Sequence, residues 1–414
     1  MKRLLFLLFF TFAIAASASD FKSGYLCYKI LSEKDSTCEV TYNGKDYYHD
    51  PYTVDSVVVP MYVKTDKGTY RVVRIGNYAF NDATIRSITL PYSLKEIGEW
   101  AFCSCLALPE VMIPEGTVTI SDNAFYGCAG LQEVVIPQSV TSIGVSAFQG
   151  CSMLETVKIP LGVTIIEDGL FGDCASLKTV LLHNKVKIIG TGSFAGCIKL
   201  KSISLPESIT SIEDGAFYHC EALQKVSVPS KVKMISNEMF YGCKSLSEII
   251  MPQGIDTIGD KAFGYCQSLT RVRLPESIVR IGCYAFAYCE NLVDVPLPAG
   301  IRIIDDGAFG NCEALLQAIH PNGVDVIGDF AYSGCTQLKS TRLPESVETI
   351  GTAAFDKCPA LVNVISMTEK PKAITRHTFS NYAKATLHVP FNCKKKYLLG
   401  KYWKDFAKIV EDAR

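Results

Sequence analysis

The chain has 414 residues, and its 41 basic and 42 acidic side chains leave a formal net charge of −1. A nucleic-acid-binding protein needs a basic surface to neutralise phosphates, so this balance argues against one. Hydrophobic residues make up 48% of the chain, which is enough for a long continuous core.

Residues 1–18 are predicted to be a signal peptide. A charged start over residues 1–3 precedes an apolar run over residues 4–16, and Ala16-Ser17-Ala18 fits a small-residue cleavage site. The run is shorter than the roughly 20 apolar residues of a transmembrane helix, and no later segment is apolar enough to span a bilayer. We therefore expect an exported protein, secreted or associated with the cell surface, with no transmembrane segment.

Residues 19–70 are predicted to form an N-terminal β cap. Short strands are expected over residues 26–31 and 38–42, and the Asn43-Gly44 pair favours a tight turn after them. Such a cap would cover the open edge of the first repeat of the array that follows. A separate ligand-binding head is the alternative interpretation of this segment.

A repeat of 23 residues dominates the rest of the chain, and its clearest copy runs over residues 200–222. A cysteine closes each of twelve copies without a slip, at Cys105, Cys128, Cys151, Cys174, Cys197, Cys220, Cys243, Cys266, Cys289, Cys312, Cys335 and Cys358. A fixed period of this size is typical of a stacked solenoid, in which each repeat buries its apolar face against its neighbours. We predict one array over residues 71–390 and a C-terminal cap over residues 391–414.

Each repeat, called a rung below, is predicted to hold two extended segments and a turn. An alternating inward pair such as Ile203 and Leu205 indicates a short parallel strand, which a proline usually follows. A second apolar pair indicates a shorter segment on the opposite side. An Asp, Asn or Thr two residues beyond it, such as Asp214, is expected to cap a single helical or 3₁₀ turn. The predicted fold is a repeat solenoid, mostly β, with short parallel strands and single-turn helices.

The repeated motif is L-x-x-V-x-I-P-x-x-V-x-x-I-G-x-x-A-F-x-x-C, and it resembles the BspA-like leucine-rich repeats of bacterial surface proteins over residues 71–390. The end of the chain, from Leu387 to Glu411, looks like the closing segment common in these proteins. The resemblance implies an exported leucine-rich-repeat superhelix used for binding, with adhesion to host or microbial surface molecules as its role. It does not imply an enzyme.

The cysteines have a structural interpretation. One cysteine per rung places the sulfurs in a column with a spacing of about 5 Å, instead of clustering them around one metal ion. We expect the twelve thiols of this cysteine ladder to be buried like small hydrophobic side chains. Outside the ladder, Cys27 and Cys38 are the candidate disulfide, because they could face each other across the N-terminal hairpin of an exported protein.

No other pattern predicts catalytic residues, a metal site or a cofactor. The sequence contains no nucleophile elbow, no phosphate-binding glycine loop and no pair of carboxylates that the repeat would bring together, and His183 and His320 lie six rungs apart. The rung over residues 315–337 departs most from the motif, at Ala318, His320 and Tyr332. This departure indicates either tolerated drift or a local bend or contact site.

The outward face of the predicted strands is the candidate partner-binding face. Its candidate residues are Met112, Val135, Leu181, Ile250, Arg271, Arg273, Ile319 and Arg342. A contiguous apolar column on an exposed face marks an interaction surface, although the β-propensity of these residue types is an alternative explanation. The predicted function is a scaffold that binds an unidentified protein or glycan at a host or microbial surface. The alternative function is a structural spacer with no specific ligand.

Overall fold

The computed structural model describes residues 19–42 and 52–412, so the signal peptide predicted over residues 1–18 and the turn predicted at Asn43-Gly44 lie outside the described residues. The described chain is a mostly-β parallel solenoid, as the repeat predicts. No helix in these two ranges is long and apolar enough to cross a membrane.

The N-terminal segment is continuous with the solenoid. Its strands are β1 (Phe21–Ser23), β2 (Leu26–Ser32), β3 (Thr37–Thr41), β4 (Ser56–Val58), β5 (Tyr62–Thr65) and β6 (Gly68–Ile75). Strands β1, β2 and β3 form an antiparallel meander, and β3 then pairs in parallel with β6. Because β6 crosses the boundary predicted at residue 70, this segment shares a hydrogen-bonded sheet with the first rungs.

The disulfide expected between Cys27 and Cys38 is wrong for this structure. The β2–β3 register places Cys27 opposite Thr41 and Cys38 opposite Ile30. Because successive side chains alternate between the two faces of a strand, the two sulfurs point to opposite faces of the sheet. Both cysteines are nevertheless fully buried, which is the state that the sequence predicts for the ladder cysteines.

Two strands from most rungs build the array. They are, in chain order, β7 (Ser87–Thr89), β8 (Glu96–Ile97), β9 (Glu110–Met112), β10 (Thr119–Ile120), β11 (Glu133–Val135), β12 (Ser142–Ile143), β13 (Thr156–Lys158), β14 (Ile165–Ile166), β15 (Thr179–Leu181), β16 (Ile188–Ile189), β17 (Ser211–Ile212), β18 (Lys225–Ser227), β19 (Met234–Ile235), β20 (Glu248–Ile250), β21 (Thr257–Ile258), β22 (Arg280–Ile281), β23 (Ile303–Ile304), β24 (Gln317–Ile319), β25 (Val326–Ile327), β26 (Ser340–Leu343), β27 (Thr349–Ile350) and β28 (Asn363–Ser366).

The strands of three or four residues form one ladder, the front ladder, and the strands of two residues form the back ladder. Neighbouring strands in both ladders pair in parallel and in register, one rung apart. In a front strand such as β9, the central residue Val111 is buried while Glu110 and Met112 are exposed. The alternation predicted from the sequence is therefore confirmed, and it fixes which side chains form the outer surface.

The core between the ladders is a stack of aromatic rings. It runs without interruption from Phe80 to Phe379, with centroids 5.0–5.8 Å apart and ring planes within 15° of parallel. Offset stacking of this kind adds about 0.5–1.5 kcal/mol per pair beyond the burial of the rings. Every rung is thus held to the next by side chains as well as by backbone.

The single-turn helices expected in the array are wrong, because the turns carrying these phenylalanines are not helical. The backbone N–H groups of alternate residues in these turns donate to different rungs. The N–H of Ala216 donates to the Glu213 carbonyl within its own rung, whereas the N–H of Phe217 donates to the Met239 carbonyl of the next rung at 3.0 Å. A helix uses nearly all its N–H groups internally. The alternating pattern instead gives half of them to the neighbouring rung.

This turn requires left-handed backbone at two places in each rung. Residues such as Trp100 and Ser104 have φ of 56° there, and glycine takes the equivalent places in several other rungs. Glycine adopts this conformation without steric cost, whereas other residues adopt it less readily. The bonds to the next rung offset that cost.

The capping residues act between rungs instead of within one rung. The Asp168 Oδ1 accepts a hydrogen bond at 2.7 Å from the N–H of Thr191, which occupies the same position one rung later. Asp214 accepts from Asn237, and Asn237 in turn accepts from Asp260. The side-chain oxygens expected to cap a helical turn therefore form a second link along the solenoid axis, which we call the Asx column.

The Asx column explains the glycine of the I-G pair. Wherever Asp or Asn occupies the column, the next rung carries glycine one residue earlier, with Ser236 as the exception; these glycines are Gly98, Gly144, Gly190, Gly259, Gly282, Gly328 and Gly351. In six of the seven, an added Cβ would lie 2.2–2.8 Å from the Asx Oδ1. In other rungs the column position holds Glu99, Val145, Thr191 or Cys283. In the rung that follows each of these four residues, the residue just before the column is not glycine. The two positions are thus coupled across the rung boundary.

Replacing Gly190 by alanine is expected to lower the free energy of unfolding by about 1–3 kcal/mol, the usual cost of overpacking. The new Cβ would lie 2.6 Å from Asp168 Oδ1 and 2.8 Å from the backbone nitrogen of Asp168. Asp168→Ala alone loses one hydrogen bond, which costs about 1 kcal/mol. Because the double variant removes the side-chain oxygen that alanine meets and leaves only the backbone contacts, its loss should be smaller than the sum by about 1 kcal/mol. Urea denaturation followed by circular dichroism measures all three.

The control for this cycle lies one rung further along. Thr191→Ala and Glu213→Ala occupy the same pair of positions, but no Asp or Asn is present, so their effects should add within about 0.5 kcal/mol. Additive losses in the Gly190 cycle would contradict the coupling.

The C-terminal segment closes the far end of the stack. It consists of β29 (Thr386–Pro390), α1 (Lys394–Leu399), a 3-10 turn (Trp403–Asp405) and β30 (Lys408–Asp412). Strands β29 and β30 extend the front ladder beyond β28, and Tyr397, Trp403 and Phe406 are buried with the last ring, Phe379. The end of the aromatic stack is therefore covered by large side chains instead of facing water.

Candidate partner-binding face

The front ladder positions the candidate residues in an ordered outward column. Its apolar members are all exposed: Met112 by 72%, Val135 by 45%, Leu181 by 50%, Ile250 by 45% and Ile319 by 44%. Met112 lies directly beside Val135, and Ile319 beside Arg342. The structure thus brings these side chains onto one face, one per rung, as the period-two pattern predicts.

The three arginines differ in their surroundings. Arg271 and Arg273 are exposed, and Arg342 is half-buried. Two acidic side chains near this face are already engaged: Glu248 pairs with Lys225 at 2.8 Å, and Glu155 pairs with Lys178 at 2.7 Å. Each of these ion pairs joins neighbouring rungs on an exposed surface, where such pairs contribute at most about 1 kcal/mol.

The front ladder is interrupted, which the sequence analysis did not foresee. Its hydrogen-bonded pairs are β4–β7, β9–β11, β13–β15 and β18–β20, followed by the longer run from β24 to β30. A depression of about 730 Å³ lies at the break after β11 and is lined by Val135, Met153 and Lys158. A second one, of about 410 Å³, lies at the break after β20 and is lined by Ile250, Arg271 and Arg273.

A row of half-buried and exposed tyrosines on the turns also escaped the sequence analysis. Tyr218, Tyr241, Tyr265 and Tyr288 follow one another along four rungs, with ring centroids 5.1, 5.3 and 4.5 Å apart. The Phe-Tyr and Tyr-Cys pairs in these rungs were the available signal. The rings pack mainly against each other, so they contribute to the contact between rungs.

The cysteine ladder is buried, as predicted, and it also makes hydrogen bonds. Each of the twelve thiols donates to the carbonyl of the stacked aromatic residue in the preceding rung, with Sγ···O distances of 2.9–3.3 Å. Burial raises the pKa of the Cys289 and Cys358 thiols to about 12. A thiol held protonated is a poor nucleophile and a poor metal ligand. Within residues 19–42 and 52–412, no group of three or more His, Cys, Asp or Glu residues is placed to hold a metal ion.

Thiol labelling distinguishes this ladder from a reactive set of cysteines. In the native protein at pH 8 we expect the twelve ladder thiols to resist alkylation, because they are buried. Denaturation in guanidinium chloride should release all of them for labelling. Cys283 is half-buried and is the native thiol expected to react first. Peptide mass spectrometry assigns the labelled sites, and native labelling of the ladder at the denatured rate would contradict the assignment.

The divergent rung over residues 315–337 is a compensated polar substitution. His320 and Tyr332 are both buried, and the His320 Nε2 lies 3.0 Å from the Tyr332 hydroxyl. The His320 Nδ1 lies 2.7 Å from the Arg342 carbonyl, which only accepts, so Nδ1 carries the proton and Nε2 accepts from the tyrosine. Tyr332 keeps its ring in the aromatic stack. The stack continues without a bend at this rung, and the exchanged residues satisfy each other's hydrogen bonds.

This rung is expected to make stability depend on pH. Burial lowers the pKa of His320 to about 4 from its ordinary value near 6.5. Between these values the unfolded chain binds a proton that the folded chain does not, so stability is complete above pH 6.5 and falls as pH drops towards 4. The loss is about 3 kcal/mol for this shift. Unfolding free energies measured from pH 7 to pH 4 give the slope.

The control removes the titrating group and restores the motif. In the variant His320→Leu with Tyr332→Phe, the contribution of this rung to the slope should vanish, while the carboxylates elsewhere keep theirs. An unchanged slope in the variant would show that His320 does not titrate in this range.

The fold and the face define a class of protein, the parallel leucine-rich-repeat solenoid with an exposed strand surface. The family model for the BspA type leucine rich repeat region, described as six copies, matches residues 73–190, 164–278 and 256–386. The chain therefore belongs to the BspA-type leucine-rich repeat family, as its motif predicts. The comparison with curated proteins found no similar sequence.

Solved structures of bacterial leucine-rich repeat proteins are similar to this chain. A leucine-rich repeat protein from Bacteroides ovatus is 28% identical with a TM-score of 0.72, over 95% of this chain and 100% of that one. A leucine rich cell surface protein from Faecalibacterium prausnitzii is 29% identical with a TM-score of 0.57, over 84% and 94%. The pneumococcal vaccine antigen PcpA, 16% identical with a TM-score of 0.54 over 95% and 98%, shares the fold. Neither the family model nor these structures indicates a catalytic family.

Proposed function

We propose that this protein is an exported binding scaffold at the bacterial cell surface, and that the front ladder holds a protein or glycan partner. The observation that carries the proposal is a mixed outward column in which five large apolar side chains from Met112 to Ile319 are exposed on one face, while Lys158, Ser204, Ser227, Arg273 and Pro296 occupy the other rungs. Large apolar side chains gathered on an exposed face mark an interaction surface.

The other parts of the proposal have separate support. The relative from Faecalibacterium prausnitzii is described as a cell surface protein, and the leader predicted over residues 1–18 supports export. The two depressions in the front ladder give the surface relief, which a spacer would not need. A spacer remains the alternative function, and the experiment below distinguishes the two.

A face variant tests the proposal. Leu181, Ile250, Arg273 and Ile319 are replaced together by serine, which removes contacts from four rungs of the front ladder. Because these side chains are exposed, each change should alter the free energy of unfolding by no more than about 0.5 kcal/mol. Immobilised wild-type protein should retain a partner from host extracellular-matrix or bacterial surface fractions, and the face variant should lose most of it. Thermal melting checks the fold of both.

The matched control carries four serines on the back ladder and beside it, at Ile165, Lys187, Met234 and Val279, which are exposed to a similar extent. It should keep the partner. A folded face variant that still binds at full strength would exclude the front ladder as the binding surface. Wild-type protein that retains nothing from either fraction would favour the spacer.

A further inference from the structure

One junction of the front ladder is open at the level of the backbone. Between residues 224–228 and 247–251, the Ser247 N–H donates to the Gln224 carbonyl at 3.0 Å and the Val228 N–H to the Ile250 carbonyl at 2.9 Å. Between residues 247–251 and 270–274, both in the described part of the chain, no backbone hydrogen bond is formed. The gap is a local widening between two rungs that stay joined on either side of it, because the Ser268 N–H donates to the Lys244 carbonyl at 3.0 Å and the Val279 N–H to the Asp256 carbonyl at 2.8 Å.

The opening forms a slot, defined here as the depression of about 410 Å³ between residues 247–251 and 271–273. Ile250 is 45% exposed in it, and Met251 is half-buried. A ligand that lies over the slot meets the exposed side chains of Ile250, Arg271 and Arg273.

The slot carries uncompensated positive charge. Arg271 and Arg273 are exposed on either side of the buried Val272, so their side chains lie on the same face. In residues 19–42 and 52–412, neither guanidinium has a carboxylate within 4.0 Å. Glu248, which also lines the slot, is engaged by Lys225 at 2.8 Å. Asp294 is the register partner of Arg271 in the next rung, but the two do not form an ion pair.

We propose that the slot binds an extended acidic segment of a polypeptide partner, with carboxylates on Arg271 and Arg273 and an apolar side chain on Ile250. Arginine binds carboxylates in a bidentate manner, which fixes the position of the segment. Alternating acidic and apolar residues suit the slot, because the slot presents the apolar side chain of Ile250 one rung before the two arginines. The lining contains no aromatic ring on which a sugar would stack, so the slot favours a peptide over an acidic glycan. This inference rests on the proposed function, since it names the partner chemistry of the same face.

Isothermal titration with a defined probe tests the slot. The probe is an acetylated, amidated octapeptide of alternating glutamate and valine, and its glutamine counterpart is the neutral comparison. Wild-type protein should bind the glutamate peptide. Its affinity for the glutamine peptide should be lower by a factor of about ten or more, because charge-assisted hydrogen bonds are lost. Arg271→Gln with Arg273→Gln should weaken the glutamate peptide to the same extent. Lys185→Gln with Lys187→Gln, two exposed lysines outside the front ladder, should change nothing.

Three results would overturn the inference: no binding of the glutamate peptide to wild-type protein, equal binding of both peptides, or unchanged binding by the arginine variant. Polygalacturonate is titrated in parallel. If this glycan binds in an arginine-dependent manner and the glutamate peptide does not bind, the ligand of the slot is an acidic glycan and not a peptide. Failure here leaves the proposed function standing if the face variant still loses its surface partner. The proposed function fails only if the face variant keeps that partner.

Discussion

Hydrogen bonding between equivalent residues of successive rungs is the constraint on which the rest of this structure depends. The Phe217 N–H reaches the Met239 carbonyl only because both rungs have the same length up to that point. One extra residue in a strand would move every later inward side chain to the outer face. The aromatic stack, the cysteine ladder and the Asx column all follow from this register, because each of them needs the same side chain at the same height in neighbouring rungs. The single short step, between Phe80 and Phe102, lies at the start of the array next to the N-terminal strands.

Much of this architecture could be predicted from the sequence because the repeat displays it many times. The inward pairs, the aromatic column and the burial of the cysteines are properties of side chains, and a period reveals them directly. The turns could not be predicted in the same way. A capping residue such as Asp214 has the same short polar side chain whether it bonds within its own turn or to Asn237 one rung later. Only the backbone path, with its left-handed residues, decides between the two. The Cys27–Cys38 disulfide failed for a related reason, since facing cysteines require a register that two short strands do not reveal.

The candidate face shows the same division. Its outward column follows from alternation, so Met112 and Ile319 lie where the pattern places them. The breaks in the front ladder leave no clear mark in the motif, because the residues around Ile250 and Arg271 have ordinary strand-forming types. The strand pairs β9–β11 and β18–β20, which lie beside the breaks, are only three residues long, so few hydrogen bonds hold neighbouring front strands together. Whether such a pair forms depends on the backbone of both rungs and not on the residue types of one.

The thiol hydrogen bonds have a consequence for how this chain would fare in an oxidising medium. A stacked rung hides its sulfur, but an unstacked rung presents a thiol to oxidants, and the array holds twelve of them at equal intervals. Two exposed thiols are joined when they exchange with a disulfide of the medium, which is reduced to two thiols, so a half-assembled chain in an oxidising medium would become crosslinked at random. Assembly by addition of one rung at a time protects one sulfur with each step. The positions of oxidised cysteines would therefore show which rungs were unstacked, and fully folded molecules would differ from partly folded ones in their disulfide content.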